Sequence, residues 1–557
     1  MRPLCFIARH GLALALIVLL HASSAIRSPT DGAGWISGRI TYDFVPVRGD
    51  AAGGALLDYA ATQVKPVRHV TVEAIDATGR VRGRAVTGED GRYRLQAPAA
   101  TQLHLRIKSE INNRTAQGVS WRYAVRDNTS AGFAHGGDAA ALYMLRSKTF
   151  SSADHAQVVH VHAGSGWTGT RYGAARAAAP FAILDQIDTA ASVLASAYPG
   201  GELPPLNVFW SARNRPSVGN PAVGEIGEAH YQPSGAAPGL YLSGREDVDT
   251  DEYDRSVLLH EYGHYVISTL SRIDILGGTH NIGAVLEPGF ALSEAWANAF
   301  SSMVRGSVEH QDTMGVGQRE GWSSSLVTLS PDMARGWYSE VALGYVLHQL
   351  YGAVGLRPLL DTWTAQRQGS PAWSSIYAFA TPLRARLDSA GQQRLDQLLQ
   401  DIGVINAAQL DVWGSREHHL DPALLSTPSD ASAVRALLFP LNPELSARAQ
   451  PLCFSTRFGR DNKQGNARFG HFVAARPGRW RLRLTPTQRA AWPLRRQILV
   501  SLRTENGDVY EAFALARRPG RFELDIRQAG IYNVLLELKP NGPDIARPVC
   551  FAVRVSR

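Results

Sequence analysis

The stretch Ser256–Leu270, "SVLLHEYGHYVISTL", sets two imidazoles and a carboxylate inside an otherwise apolar run. On a helix, residues i and i+4 lie one above the other, so His260 and His264 present two ring nitrogens to one point. Glu261 stands one residue round, about 100° from His260, and leans toward the same region. A buried carboxylate without a partner is costly or gives up its charge. A divalent metal removes that difficulty, because imidazoles bind it directly and its charge favours the ionised glutamate. The pattern His-Glu-x-x-His therefore predicts a zinc helix, with Glu261 as the general base of a hydrolysis.

A catalytic zinc takes three protein ligands and keeps one position open. The metzincin continuation of the motif needs Gly at position 267 and His at position 270; Ile267 and Leu270 exclude it. The gluzincin alternative takes a Glu from a second helix, and "EPGFALSEAWANAFSSM" supplies Glu294 among Phe290, Ala291, Leu292, Ala295 and Trp296. One turn on, Asn298 is placed to accept the ring N–H of the first histidine. Glu287 and His280, in loop-like surroundings, compete for the place of third ligand. The expected metal set is His260, His264 and Glu294, holding Zn2+. Tyr338, Tyr345 and His348 are candidates for the donor that a developing oxyanion requires. In "REDVDTDEYD", Asp247, Asp249 and Asp251 have a spacing that suits Ca2+, though acids before a helix are also favoured by its dipole, and Asp251 or Thr250 serves as a cap. His155, His160 and His162 alternate as on a half-buried strand.

The run "YLSGREDVDTDEYDRSVLLHEYGHYVISTLSRIDILGGTHN…FALSEAWANAF" resembles secreted bacterial gluzincin-type zinc metallopeptidases. There, as here, an acidic segment precedes the zinc helix, an Arg/Asp/Gly-Gly loop follows it, and a Glu-bearing helix closes the site. The likeness extends over most of residues 120–355 and implies a zinc peptidase acting on a protein or peptide substrate. The strand "GLYLSG" (239–244) is where such enzymes place the edge that aligns an extended substrate.

The elements around this region define the expected layout. "MRPLCFIARHGLALALIVLLHASSAIRS" has the charged end, short apolar run and small-residue cleavage site of a signal peptide over residues 1–25. "TGEDGRYRL" and its neighbours alternate with period two and resemble a carboxypeptidase regulatory-like, transthyretin-like β-sandwich at 34–110. Helical and strand patterns from 113 to 415 predict an α+β zincin-like metallopeptidase domain. A linker at 416–449 follows. From 450 to 557 short strands recur between Gly and Pro turns and resemble a pre-peptidase C-terminal β-sandwich. The expected fold class is thus multidomain: an α+β zincin-like catalytic domain flanked by two all-β sandwich modules.

Composition narrows the function classes. Of the three cysteines, Cys5 leaves with the signal segment, and Cys453 and Cys550 remain in similar contexts, "PLCFS" and "PVCFA". In an exported chain they read as a disulfide joining the first and last strands of the last module, with two buried thiols as the other reading. Loss of residues 1–25 lowers the formal charge from +8, because it removes two arginines and no acids. The densest basic part, "RPGRWRLRLTPTQRAAWPLRRQ", alternates Arg with apolar residues as a solvated strand face does, so no nucleic-acid partner is expected. No later stretch is long and apolar enough for a transmembrane helix. The expectation is an exported zinc metallopeptidase, periplasmic or extracellular. The alternative is a surface binding or adhesion protein with an inactive zincin domain, and a hydrolase of non-peptide bonds would share the metal chemistry.

Overall fold

The computed structural model describes residues 33–404, 410–416, 438–441, 450–457, 465–511, 513–514, 518–539 and 542–557, apart from residues 117 and 199–201. The signal segment 1–25 and nearly all of the linker 416–449 lie outside the described residues.

The first half is organised by strands β1 (Ala33–Phe44), β2 (Val70–Asp76), β3 (Val81–Val86), β4 (Arg92–Pro98), β5 (Gln102–Arg114) and β6 (Ser120–Asp127). After helix α1 (Ala179–Ala197) come β7 (Leu206–Trp210), β8 (His230–Gln232) and β9 (Gly239–Leu242). Seven of these form one mixed sheet in the order β8-β9-β7-β6-β5-β2-β3. β2 pairs antiparallel with residues 103–111 of β5, and residues 110–114 of β5 pair antiparallel with β6. β6 then takes β7 in parallel, Leu206 opposite Tyr123, and β7 takes β9 in parallel.

This continuity corrects the expected fold class. Among the described residues strand outnumbers helix, and no zincin core with a sheet of its own is set apart from an N-terminal sandwich. Of the strands expected to form a free-standing module at 34–110, β2, β3 and β5 are built into the same sheet as β7 and β9, while β1 and β4 pair in a second sheet that also takes residues 157–158 and 161–163. The physical reason lies in burial: six of the seven β2 residues are buried, so both its faces are covered, as in a central strand. A single apolar core runs from Ile36 through Val72, Tyr123 and Ile187 to Leu259 and Trp296.

Helices α2 (Arg255–Leu270) and α3 (Pro288–Arg305) pack on one another, and the hairpin β10 (Glu309–Asp312) and β11 (Gly321–Ser325) follows them. Glu287 caps α3: its carboxylate accepts from the Gly289 and Phe290 N–H groups, each at 2.8 Å, while Pro288 fills the first helical position. Helix α4 (Glu340–Val354) starts on the Ser339 side chain, which accepts from the Ala342 N–H.

From residue 450 on, β12 (Gln450–Phe454), β13 (Ala467–Ala474), β14 (Gly478–Pro486), β15 (Ile498–Thr504), β16 (Arg521–Ile526), β17 (Gly530–Leu538) and β18 (Val549–Ser556) fall into two sheets. One carries β13-β17-β15 and the other β12-β18-β14-β16; Phe472, Leu482, Leu524 and Val534 share the core between them. Cys453 and Cys550, opposite each other on β12 and β18, form a disulfide. Among the described residues no helix is long and apolar enough to cross a membrane.

Candidate metal centre

α2 and α3 together bring His260, His264 and Glu294 to one point. The two Nε2 atoms stand 3.1 Å apart, and Glu294 Oε2 lies 3.2 Å from that of His260 and 3.4 Å from that of His264. His260 Nδ1 faces Asn298 Oδ1 at 2.8 Å, and His264 Nδ1 faces Ser293 Oγ at 3.1 Å. An amide oxygen only accepts, so His260 Nδ1 carries the proton and, in the neutral ring, Nε2 carries the lone pair. With the same tautomer in His264, three lone-pair atoms converge with no donor between them.

That arrangement fits zinc. Ligands about 2.0–2.1 Å from a tetrahedral ion stand about 3.4 Å from each other, close to the three separations observed. Glu294 is 3% exposed and turns Oε2 to the His260, His264 and His280 rings, a buried carboxylate whose charge a cation among these nitrogens would offset. Glu261 is also buried, with Oε1 4.0 Å from His260 Nε2, beside the point where the ligands meet and not among them. Burial disfavours charge on His260, yet Glu294 and Glu261 outweigh it and raise the pKa to about 9; burial likewise opposes the Glu294 carboxylate, but the two histidines hold it well below the usual range.

The competing third ligands settle elsewhere. Glu287 is spent on the α3 cap. His280 Nε2 lies between two carboxylates, 3.5 Å from Glu294 Oε2 and 3.4 Å from Glu340 Oε2, so it backs Glu294 and links it to the start of α4. Asp247 is exposed and turns its carboxylate to the Gly317 N–H, away from Asp251. His162 lies on a parallel partner of β1 beside Asp43, and His160 just before it accepts from the Arg39 N–H; among the described residues neither belongs to a three-ligand group.

A cavity of about 600 Å³ opens over the ligands. Glu261, His260, His264 and Glu294 line its floor, and Ile226, Ile273, Ile275, Phe290 and Val218 line its walls. His230, Tyr231 and His280 also reach it, whereas Tyr338, Tyr345 and His348 do not line it. The expected edge strand is corrected as well: β9 is wholly buried between β7 and β8, and the last strand of the sheet is β8. Four consecutive apolar or Gly residues in "GLYL" mark a central strand rather than a half-exposed edge. Sequence reasoning misses Ser293, whose hydroxyl has meaning only against α2, and His230 and Tyr231, which belong to no motif.

No protein-family model matches the chain, and no curated protein does. Among solved structures, a Pseudomonas aeruginosa protein provisionally named as carbohydrate binding aligns at 12% identity, covering 24% of this chain and 92% of its own, with a TM-score of 0.13. A β-glucosidase from Paenibacillus barengoltzii aligns at 9% identity over 94% of this chain and 70% of its own, with a TM-score of 0.10. Scores this low bear on neither fold nor function.

Proposed function

We propose that the chain is an exported zinc-dependent metallopeptidase that hydrolyses peptide bonds, with Glu261 as general base and His260, His264 and Glu294 as the zinc ligands. The observation that carries this reading is the convergence of three lone-pair atoms, two of them oriented from behind by Asn298 and Ser293, next to a fourth buried group that does not ligate. When bound, zinc supplies a Lewis acid that makes a water acidic near neutral pH. Glu261 takes the proton of the attacking water and hands it to the leaving amine. The outer edge of β8 offers main-chain hydrogen bonds to an extended segment, as peptide-binding sheet edges do. The donor to the carbonyl oxygen falls to His230, Tyr231 or His280, the three side chains of that kind at the cavity. Isoleucine-lined walls favour a large apolar side chain beside the cleaved bond. Export is supported by the Cys453–Cys550 disulfide and by the signal-like composition of residues 1–25.

The test is zinc per chain together with cleavage of an unfolded protein, for wild type and Glu261→Gln. One zinc in both, with cleavage by wild type alone, is the expected result. Zinc in both without cleavage by either would move weight to the surface binding protein, and absence of zinc would end the metal reading.

A further inference from the structure

A second group of ligand-type residues lies before α2, away from the cavity. Asp249, Asp251 and Asp312 bring carboxylate oxygens within 4.8 Å of one another. Asp312 ends β10, after α3, so three-dimensional pairing and not local spacing assembles the set: Met314 bridges to Asp249, and the Gly315 N–H bonds the Val248 carbonyl. Asp254 is completely buried close by, held by the Thr313 N–H at 2.6 Å and the Thr313 hydroxyl. Among the described residues no ion pair reaches any of these four acids, and Glu228 adds to the negative field on Asp249 and Asp312.

Acidic groups gathered at a helix start are common, and alone they would mean nothing. Here the surroundings are orphaned too. Ser243 and Thr250 are completely buried, and neither hydroxyl oxygen has a hydrogen-bond partner. The Ser243 hydroxyl lies beside Asp249, and the Ser243 N–H holds Asp251 Oδ2 at 2.5 Å. Asp249 Oδ1 and Asp312 Oδ1 are likewise buried without a partner. Burial and mutual repulsion push these carboxyls upward, Asp249 to about 6 and Asp312 to about 7. Carboxylate oxygens buried without a partner this close together need either protons or a cation.

We infer that Asp249, Asp251 and Asp312, with the Ser243 hydroxyl, form an all-oxygen site for a structural divalent cation of the calcium class. Oxygen donors alone, and several carboxylates, suit a hard cation rather than zinc. The ion ties β10 to the turn that leads into α2, fixing the entrance of the helix that bears His260 and His264. Asp247, the residue that local spacing would choose, plays no part.

The experiment uses the full chain with zinc kept in every buffer, and equilibrium dialysis against calcium at about 1 mM, the range of extracellular calcium modules. The expected result is one calcium per chain in wild type and Asp247→Asn, and its loss in Asp249→Asn and Asp312→Asn with zinc content unchanged. Because Trp322 contacts Asp312, terbium bound there is excited through the indole and displaced by calcium. Absence of bound calcium in wild type, or undiminished binding in Asp312→Asn, overturns the inference. If the Asp312 variant does not fold, the wild type decides: neither terbium luminescence nor a calcium-dependent rise in Tm sinks the proposal. Loss of zinc with calcium retained would count against the peptidase reading alone.

Discussion

His260 in the metal-free chain is pulled two ways, and the carboxylates of Glu294 and Glu261 win against burial, giving a pKa of about 9. Zinc takes only the neutral ring, so below that pH each bound ion displaces a proton. Apparent zinc affinity should therefore rise about tenfold per pH unit until about pH 9 and then level off. Titration calorimetry in buffers of different ionisation enthalpy counts the proton; an affinity flat across neutral pH would mean that His260 is already neutral. Behind the ring, Asn298 Oδ1 is the acceptor that fixes the tautomer. Asn298→Ala should weaken zinc binding by about 10- to 100-fold with the chain still folded, and Asn298→Asp should restore it, as read by competition with a chromogenic chelator. Equal affinity in Asn298→Ala would reduce the contact to packing. These residues were unequally legible: His260, Glu261, His264 and Glu294 announce themselves because charge in an apolar helical stripe needs a reason. Ser293 does not, because serine in a helix is ordinary until the facing histidine is known.

Between α2 and α3 the decisive residue is Gly263, inside the motif itself. A Cβ there would stand 2.9 Å from Ala297 Cα, too close for the backbones to keep their present approach. Gly263→Ala gains about 1 kcal/mol of helix propensity and loses about 1–3 kcal/mol to overpacking, so the helices should part and stability should fall or stay level. Parting them also draws His264 from Ser293 and Glu294, so zinc affinity should drop more than stability does. Denaturant midpoints and zinc titration on the same variant separate the two effects; higher stability with unchanged affinity would mean that the contact is slack. The helices are readable from their period: it predicts them over roughly 251–271 and 288–305, and the structure has them at Arg255–Leu270 and Pro288–Arg305. The sheet is not. Alternation tells which face of a strand is buried but not which strand it meets, and the parallel β6–β7 pair joins segments separated by α1. A module boundary at residue 110 therefore cuts a continuous sheet, inside β5.

Across the whole molecule, the C-terminal sheets bear on the wall of the cavity. Asp274 is completely buried between α2 and α3 and receives Arg272 at 2.8 Å and Arg503, from β15, at 2.5 Å. Arg272 also donates to the Glu505 carbonyl at 2.6 Å, just beyond β15. The segment thus clamped carries Ile273, Ile275 and His280 into the cavity wall, so the sandwich positions part of the site from outside. Truncating Asp274 to Ala leaves guanidinium groups facing a place built for a carboxylate and should cost about 3–5 kcal/mol. Arg503→Ala is the milder probe, because Arg272 still pairs with Asp274 and the fold should survive. Its expected signature is a raised KM with kcat little changed, together with faster amide exchange over residues 273–280, since the wall loosens while Glu261 and the ligands keep their places. If exchange over that segment is unchanged, the sandwich does not support the site and is free to serve as a binding module of its own. If exchange quickens and kcat falls as far as kcat/KM, the clamp reaches through His280 to Glu294, and the sandwich holds a ligand in place as well as the wall.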